Sequence, residues 1–421
     1  LGTNTTGASN VAVGANALDA NTTGSSNNAF GVSALGSNTT ASDNSAFGNN
    51  ALATNTTGAN NVAVGKNCLI SNTTASNNTA VGQGALFSNT TGHSNVAVGC
   101  QALDANTTAT ENVALGMSAL GANTTGQLNV GVGHRALATA TTPDMNTAIG
   151  YVSQVATTTG ASNTSLGAYS MVNNTTGANN TAAGRSALGA NTTGANNVAI
   201  GAFALDANTT ASANVAIGRQ ALSECTTGFG NVATGGDALF SLTTGQDNTA
   251  YGRDAGLNIT TGIENACIGY NSGTSTSPSG QITTGSRNIC LGDNNIANLF
   301  CKQSTIQTSD LRDKADVTDF KHGLSWVEKL RPITYRWDMR SNYKDGVSDG
   351  SKKEKKLHLG FIAQEELEIE KEHGFANDKN DMLLVHENND GNYGMHYDRL
   401  VPILVNAIKE LSEKVTALEA G

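Results

Sequence analysis

The chain has 421 residues, of which only 14% are charged and 5% aromatic, with 48 glycines and long Asn/Thr tracts; such usage points away from an ordinary globular core. The net charge is −10, and residues 1–292 hold just six Lys/Arg with no basic cluster, which argues against a nucleic-acid partner. No apolar run approaches membrane-spanning length and no signal peptide is visible, while 18 of the 24 Lys/Arg fall after residue 292, so two differently built parts share the chain.

The first part is a repeat. A glycine closes an N-x-small-apolar-G motif at 14, 31, 48 and every 17 residues to 269, and a last copy ends at Gly292 after a six-residue insertion near Thr274 to Pro278, seventeen copies in all. The residue before the glycine is large and apolar (Val13, Phe30, Phe47, Val64, Leu115, Ile200), and the one before that is small (Ala12, Ala63, Ala97, Gly131). That alternation is the signature of a strand. The large residue and the leucine four after the glycine (Leu18, Leu52, Leu86, Leu120, Leu188) are expected to supply the buried apolar volume, and the small one a face that another backbone approaches. Gly14, Gly24 and their equivalents suit turns, so each repeat reads as one coil with strands and two tight turns. Coils stacked about 4.8 Å apart make a parallel β-solenoid about 80 Å long, whose stability accumulates between neighbours. Leu1 stands where Leu18 stands one repeat later, so the chain reads as a piece of a longer protein.

The NVAVG-xx-A units resemble the head repeats of trimeric autotransporter adhesins, left-handed parallel β-rolls in a three-chain bundle, although the repeat here is longer. The resemblance covers residues 1 to about 292 and implies a trimer. The Asn-Thr-Thr array has three readings. As N-x-T sequons these would be glycosylation sites, but Ala140, Cys225, Leu242 and Ile259 fill the asparagine slot elsewhere. As a threonine ladder they would face ice or a polymer, but adjacent threonines of an extended chain point to opposite faces. The preferred reading is turn residues that satisfy their own backbone. A sugar-cleaving head would need paired carboxylates beside stacking aromatics; this part has no tryptophan, and Asp19, Asp104 and Asp206 share one slot far apart along the stack. The six cysteines show neither a CxxC pair nor metal-ligand spacing with histidine, and read as free, mostly buried small residues. Cys267 and Cys290 occupy the small slot of successive repeats, where a stacked pair is conceivable and no disulfide is expected.

The repeat grammar ends near residue 300. Beyond it, SDLRDK (309–314), LRPITYRW (330–337), HLGFIAQE (358–365) and YDRLVPILVNAIKEL (397–411) follow in order. This set resembles the intramolecular chaperone, or peptidase S74, domain that ends phage tail spikes, endosialidases and neck appendages. The resemblance implies self-cleavage between Thr308 and Ser309, with Ser309 as nucleophile and Lys314 as its base, Asp310 and Arg312 positioning the loop, and His358 and Gln364 either assisting the site or packing. Serine needs a neighbour to take its proton, and a lysine can do so only when desolvation or a nearby cation such as Arg312 holds it neutral.

At the end of the chain Leu404, Ile408, Leu411, Val415 and Leu418 alternate four and three apart, a heptad seam, and Pro402 fits a helix start. The other reading is one amphipathic helix lying on its own domain. The run SNYKDGVSDGSKKEKK between 341 and 356 reads as an exposed loop. The expected architecture is therefore mostly β: a repeat solenoid shaft (1–300), a linker (301–308), and a small α+β chaperone domain (309–421) ending in a coiled coil (398–420). The expected function is a homotrimeric virion tail fibre or spike shaft whose terminal chaperone sets the register of near-identical coils and then cuts itself off, with a host-surface receptor or glycan as partner and no cofactor or metal. The alternative is a host-surface or glycan-binding adhesin with a cap that trimerises but does not cut.

Overall fold

The structure, a computed structural model, describes residues 2–296, 315–340, 343, 347–387 and 391–421. The chain divides into two compact units, Leu1–Ser272 with Thr283–Leu291, and Gly273–Ile282 with Gly292–Gly421.

In the first unit every repeat contributes one three-residue strand, from β1 (Val11–Val13) to β17 (Ile289–Leu291), and the strands form a 17-stranded parallel sheet in register with the repeat. The expected solenoid is therefore present, with a single strand per coil and turns for the remainder. The coil Asn44–Asn60 shows why. Its strand Ser45–Phe47 ends at Gly48, whose φ of 143° lies in the left-handed half of the map, and a Cβ there would sit 2.5 Å from the Gly65 carbonyl oxygen of the next coil. Both constraints admit only glycine, so the glycine column carries no exception. Ala46, Ala51 and Leu52 then fill the interior, all fully buried. Leu52 is itself left-handed, at φ 52°. That conformation costs about 1–2 kcal/mol, which burial of the leucine, about 1.5–3 kcal/mol, offsets.

One expectation is corrected. The large residue before the glycine does not fill the core; Phe30, Phe47, Leu115, Ile149 and Ile200 are 37–41% exposed, while the small residue beside each is buried. A three-residue strand between two bends turns only its middle side chain inward, and the leucine column has already taken the space there: a Cβ at Gly131 would stand 3.3 Å from Leu120 Cγ. The interior therefore takes alanine and the bulk points outward.

The interior also holds two asparagine ladders. Asn44 Nδ2 donates to the Gly58 carbonyl at 2.9 Å, closing its own coil, and Asn44 Oδ1 accepts the Asn61 N–H at 3.0 Å, seating the next one. Asn55, the asparagine of the Asn-Thr-Thr triplet, is likewise fully buried; it donates to Gly58 O at 2.8 Å and to Asn38 Oδ1 at 3.0 Å. Past the first coil, the first threonine of the Asn-Thr-Thr triplet is half-buried, as with Thr56, whose Oγ1 donates to the Thr73 carbonyl at 3.0 Å. The triplet thus satisfies its own turn, as expected, and also binds coil to coil.

The second unit is α+β. Helix α1 (Leu324–Val327) precedes β18 (Ile333–Tyr335), which pairs antiparallel with β19 (His358–Gly360); α2 (Ala363–Glu372) leads to a second antiparallel pair, β20 (Val385–Glu387) and β21 (Tyr393–Met395); and one 3-10 turn opens the long helix α3 (Leu400–Ala420). Trp326, Ile369, Leu384, Leu400 and Ile403 form its core. Residues 347–356 are exposed, as the loop reading predicts.

Candidate functional site

Of the residues implicated in self-cleavage, Thr308, Ser309, Asp310, Arg312 and Lys314 lie outside the described residues. His358 and Gln364 are described, and both line one cleft of the C-terminal unit. His358 is fixed by pairing with Tyr335 across the β18–β19 ladder. Its ring stacks on Tyr335 at 5.5 Å and meets Trp337 edge-on at 6.3 Å, and its Nε2 lies 3.6 Å from Glu354 Oε2.

Three of the four terminal motifs converge. Ile333, Tyr335 and Trp337 come from LRPITYRW, Phe361 and Gln364 from HLGFIAQE, and Tyr397 from YDRL; together with Tyr393 and Met395 they line a cavity of about 430 Å³. Hydrogen bonds hold the convergence. The Phe361 N–H donates to Tyr397 Oη at 3.1 Å, and the Arg331 guanidinium forks onto the Glu365 carboxylate, holding that carboxyl below its usual range through hydrogen bonding first and charge second. The lining is aromatic and apolar, with Gln364 as a polar member, so it suits an extended peptide segment better than a charged small molecule.

Behind the cavity sits a polar hub that the sequence does not announce. Glu370, fully buried on α2, accepts the backbone N–H groups of Leu383, Leu384 and Val385 at 2.7–2.8 Å. One turn earlier, Glu366 accepts the Trp326 indole N–H at 2.7 Å, and burial raises its pKa above 4.5. Carboxylates in the EELEIEKE stretch look solvated by composition; only partners 13–15 and 40 residues away reveal their role.

Helix α3 has two faces. Leu400, Ile403 and Ala407 are buried against the domain, and the helix is pinned to α1 by Glu410, which accepts the Leu324 N–H at 2.9 Å, and by Asn406, whose Nδ2 donates to the Phe320 carbonyl at 2.6 Å. The heptad residues Leu404, Ile408, Leu411, Val415 and Leu418 are all exposed. The domain is thus packed by residues other than the seam, and the seam has no partner among the described residues.

The outward column of the solenoid is the second such surface. Phe30 and Phe47 stack face to face at 5.0 Å, and Leu115, Ile149, Ile200 and Ile217 hold the same last position of their strands, which the register aligns in one column. The column leaves large apolar side chains exposed on most coils.

Residues 309–375 match the model of the Peptidase_S74 family, described as the chaperone of endosialidase. No curated protein matches the chain. The C-terminal region is therefore a chaperone-of-endosialidase domain, carried behind a β-solenoid. No described helix is long and apolar enough to cross a membrane.

Proposed function

We propose that three copies of this chain assemble as the shaft of a virion tail fibre or spike that attaches to a host-surface receptor or glycan, with the chaperone domain aligning the chains and then cutting itself away. The observation that carries the reading is the apolar column repeated on coil after coil, which a single chain leaves in water; three parallel copies would bury it against one another. The exposed heptad face of α3 supports self-association independently. A stack of near-identical 17-residue coils can pair one coil out of step at little cost, so register has to be imposed from one end.

In the cutting step, Lys314 in its neutral form takes the Ser309 hydroxyl proton as Oγ attacks the Thr308 carbonyl. The C–N bond breaks to leave an ester and a free Ser309 amine, and water hydrolyses the ester to the Thr308 carboxylate. Asp310 and Arg312 position the loop. Cutting makes assembly irreversible in practice, because the shaft cannot rebuild its register once opened.

Denaturing electrophoresis with intact mass, wild type beside Ser309→Ala, tests the reading. The wild type is expected to yield a fragment beginning at Ser309 and the variant to stay whole. Cutting in both would remove Ser309 from the mechanism; an uncut chain in both would leave a trimerising cap that remains attached.

A further inference from the structure

The inward slot of the strand holds alanine in most coils, but the last two put cysteine there. Cys267 is the middle residue of β16 (Ala266–Ile268), Cys290 that of β17, and the parallel register sets them side by side. Both are buried. In-register neighbours on adjacent strands have Cα atoms about 4.8 Å apart, within the roughly 4.4–6.8 Å that a disulfide spans, and both side chains enter the same interior. The bond would join the last coil to β16, its neighbour in the stack.

The other buried thiols are differently placed. Cys68 Sγ donates to the Ala80 carbonyl at 3.1 Å, and Cys225 Sγ to Gly228 O at 3.3 Å. Cys267 and Cys290 instead hydrogen-bond each other; that contact, then burial, keeps the Cys267 thiol protonated well above the ordinary range. The pair also stands where the repeat is interrupted: 23 residues separate the two strands instead of 17, and Gly273–Ile282 leave the coil between them.

We propose that Cys267 and Cys290 are a cross-linking site, oxidised by a small-molecule disulfide to a bond that fastens the last coil to the stack across the insertion. With oxidised glutathione, the thiolate of one cysteine attacks a glutathione sulfur and expels one glutathione thiolate. The second cysteine, as thiolate, attacks the protein sulfur of that mixed disulfide and expels the other. The two protein thiols lose two electrons and two protons, and one oxidised glutathione becomes two reduced molecules. Because both sulfurs are buried, exchange proceeds as the last coil opens.

To test this, the full chain is incubated with oxidised glutathione, alkylated under denaturing conditions and digested with trypsin, which cuts after Arg287 between the two cysteines. The expected product is a peptide pair joined through Cys267 and Cys290, with Cys301 of the second peptide alkylated, two hydrogens lighter than the same peptides with Cys267 and Cys290 as free thiols, and lost completely in Cys290→Ala. The thermal midpoint of the oxidised wild type rises, and that of Cys267→Ala does not respond to the oxidant. Alanine fills this slot in other coils, so both variants keep the fold. Alkylation of both cysteines at every oxidant level, arrest at the glutathione adduct, or linkage to another cysteine overturns the proposal.

Discussion

At the scale of single residues, the two asparagine ladders are unequal although both are buried. Asn146 closes its coil onto the Gly160 carbonyl at 2.9 Å and receives the Asn163 N–H at 2.9 Å. Alanine there would strand a buried acceptor and a buried donor, each worth about 1–3 kcal/mol. Asn123 sits in the slot that Ala140 fills one coil later, and its Oδ1 is unpartnered. Asn123→Ala should therefore lower the guanidinium midpoint of the solenoid much less than Asn146→Ala; equal effects would refute the division of labour. In the C-terminal unit, burial raises the Glu366 pKa above 4.5. A raised folded value means that protonated Glu366 favours the fold, so its contribution is complete below about pH 4.5 and is lost as pH rises through the folded value. Glu366→Gln keeps an acceptor for the Trp326 indole and removes the titration. Thermal melts from pH 4 to 8 should show the variant gaining on wild type as pH rises.

At the scale of elements, α3 separates folding from assembly. Ile403→Ala empties part of the core and should cost about 2–5 kcal/mol of domain stability. Leu411→Asp touches an exposed residue and should leave the domain's melting unchanged while, on the proposed assembly, abolishing trimers in light scattering. If Leu411→Asp stayed trimeric, the seam would not be the assembly surface. The helix was legible because the spacing of its apolar residues depends on the sequence of one helix alone. The strand was only half legible: alternation in Phe47-Gly48 and its equivalents says that two faces exist, but which face is inside depends on the width of the coil interior, set by Leu52 four residues on. The Glu370 hub was not legible at all, since its three backbone donors come from a turn 13–15 residues away. The four terminal motifs could be placed in order by resemblance, whereas the convergence of three of them on one cavity needed the β18–β19 pairing and the Tyr397 hydrogen bond.

For the whole molecule, stability is a sum over like neighbours rather than a property of one core. Removing 34 residues, two whole coils such as 95–128, rejoins a strand to its own equivalent and should leave a folded shaft shorter by about 10 Å in small-angle scattering. Removing 33 of the same residues puts every following glycine out of its column, where a side chain meets the next carbonyl, and should yield insoluble or protease-sensitive chains. Folded, soluble protein from the second deletion would show that register is set elsewhere than in the glycine column.

The buried asparagine of each Asn-Thr-Thr triplet has a consequence for synthesis. An acceptor asparagine inside the stack is reachable by a glycan-transferring enzyme only while its coil is open, and a sugar added there prevents that coil from ever closing. In a chain routed through a glycosylating secretory compartment, occupancy at each triplet would become a timestamp. Coils that shut early would stay bare, late ones would be marked, and a gradient of sugars from one end to the other would give the direction in which the stack had zipped.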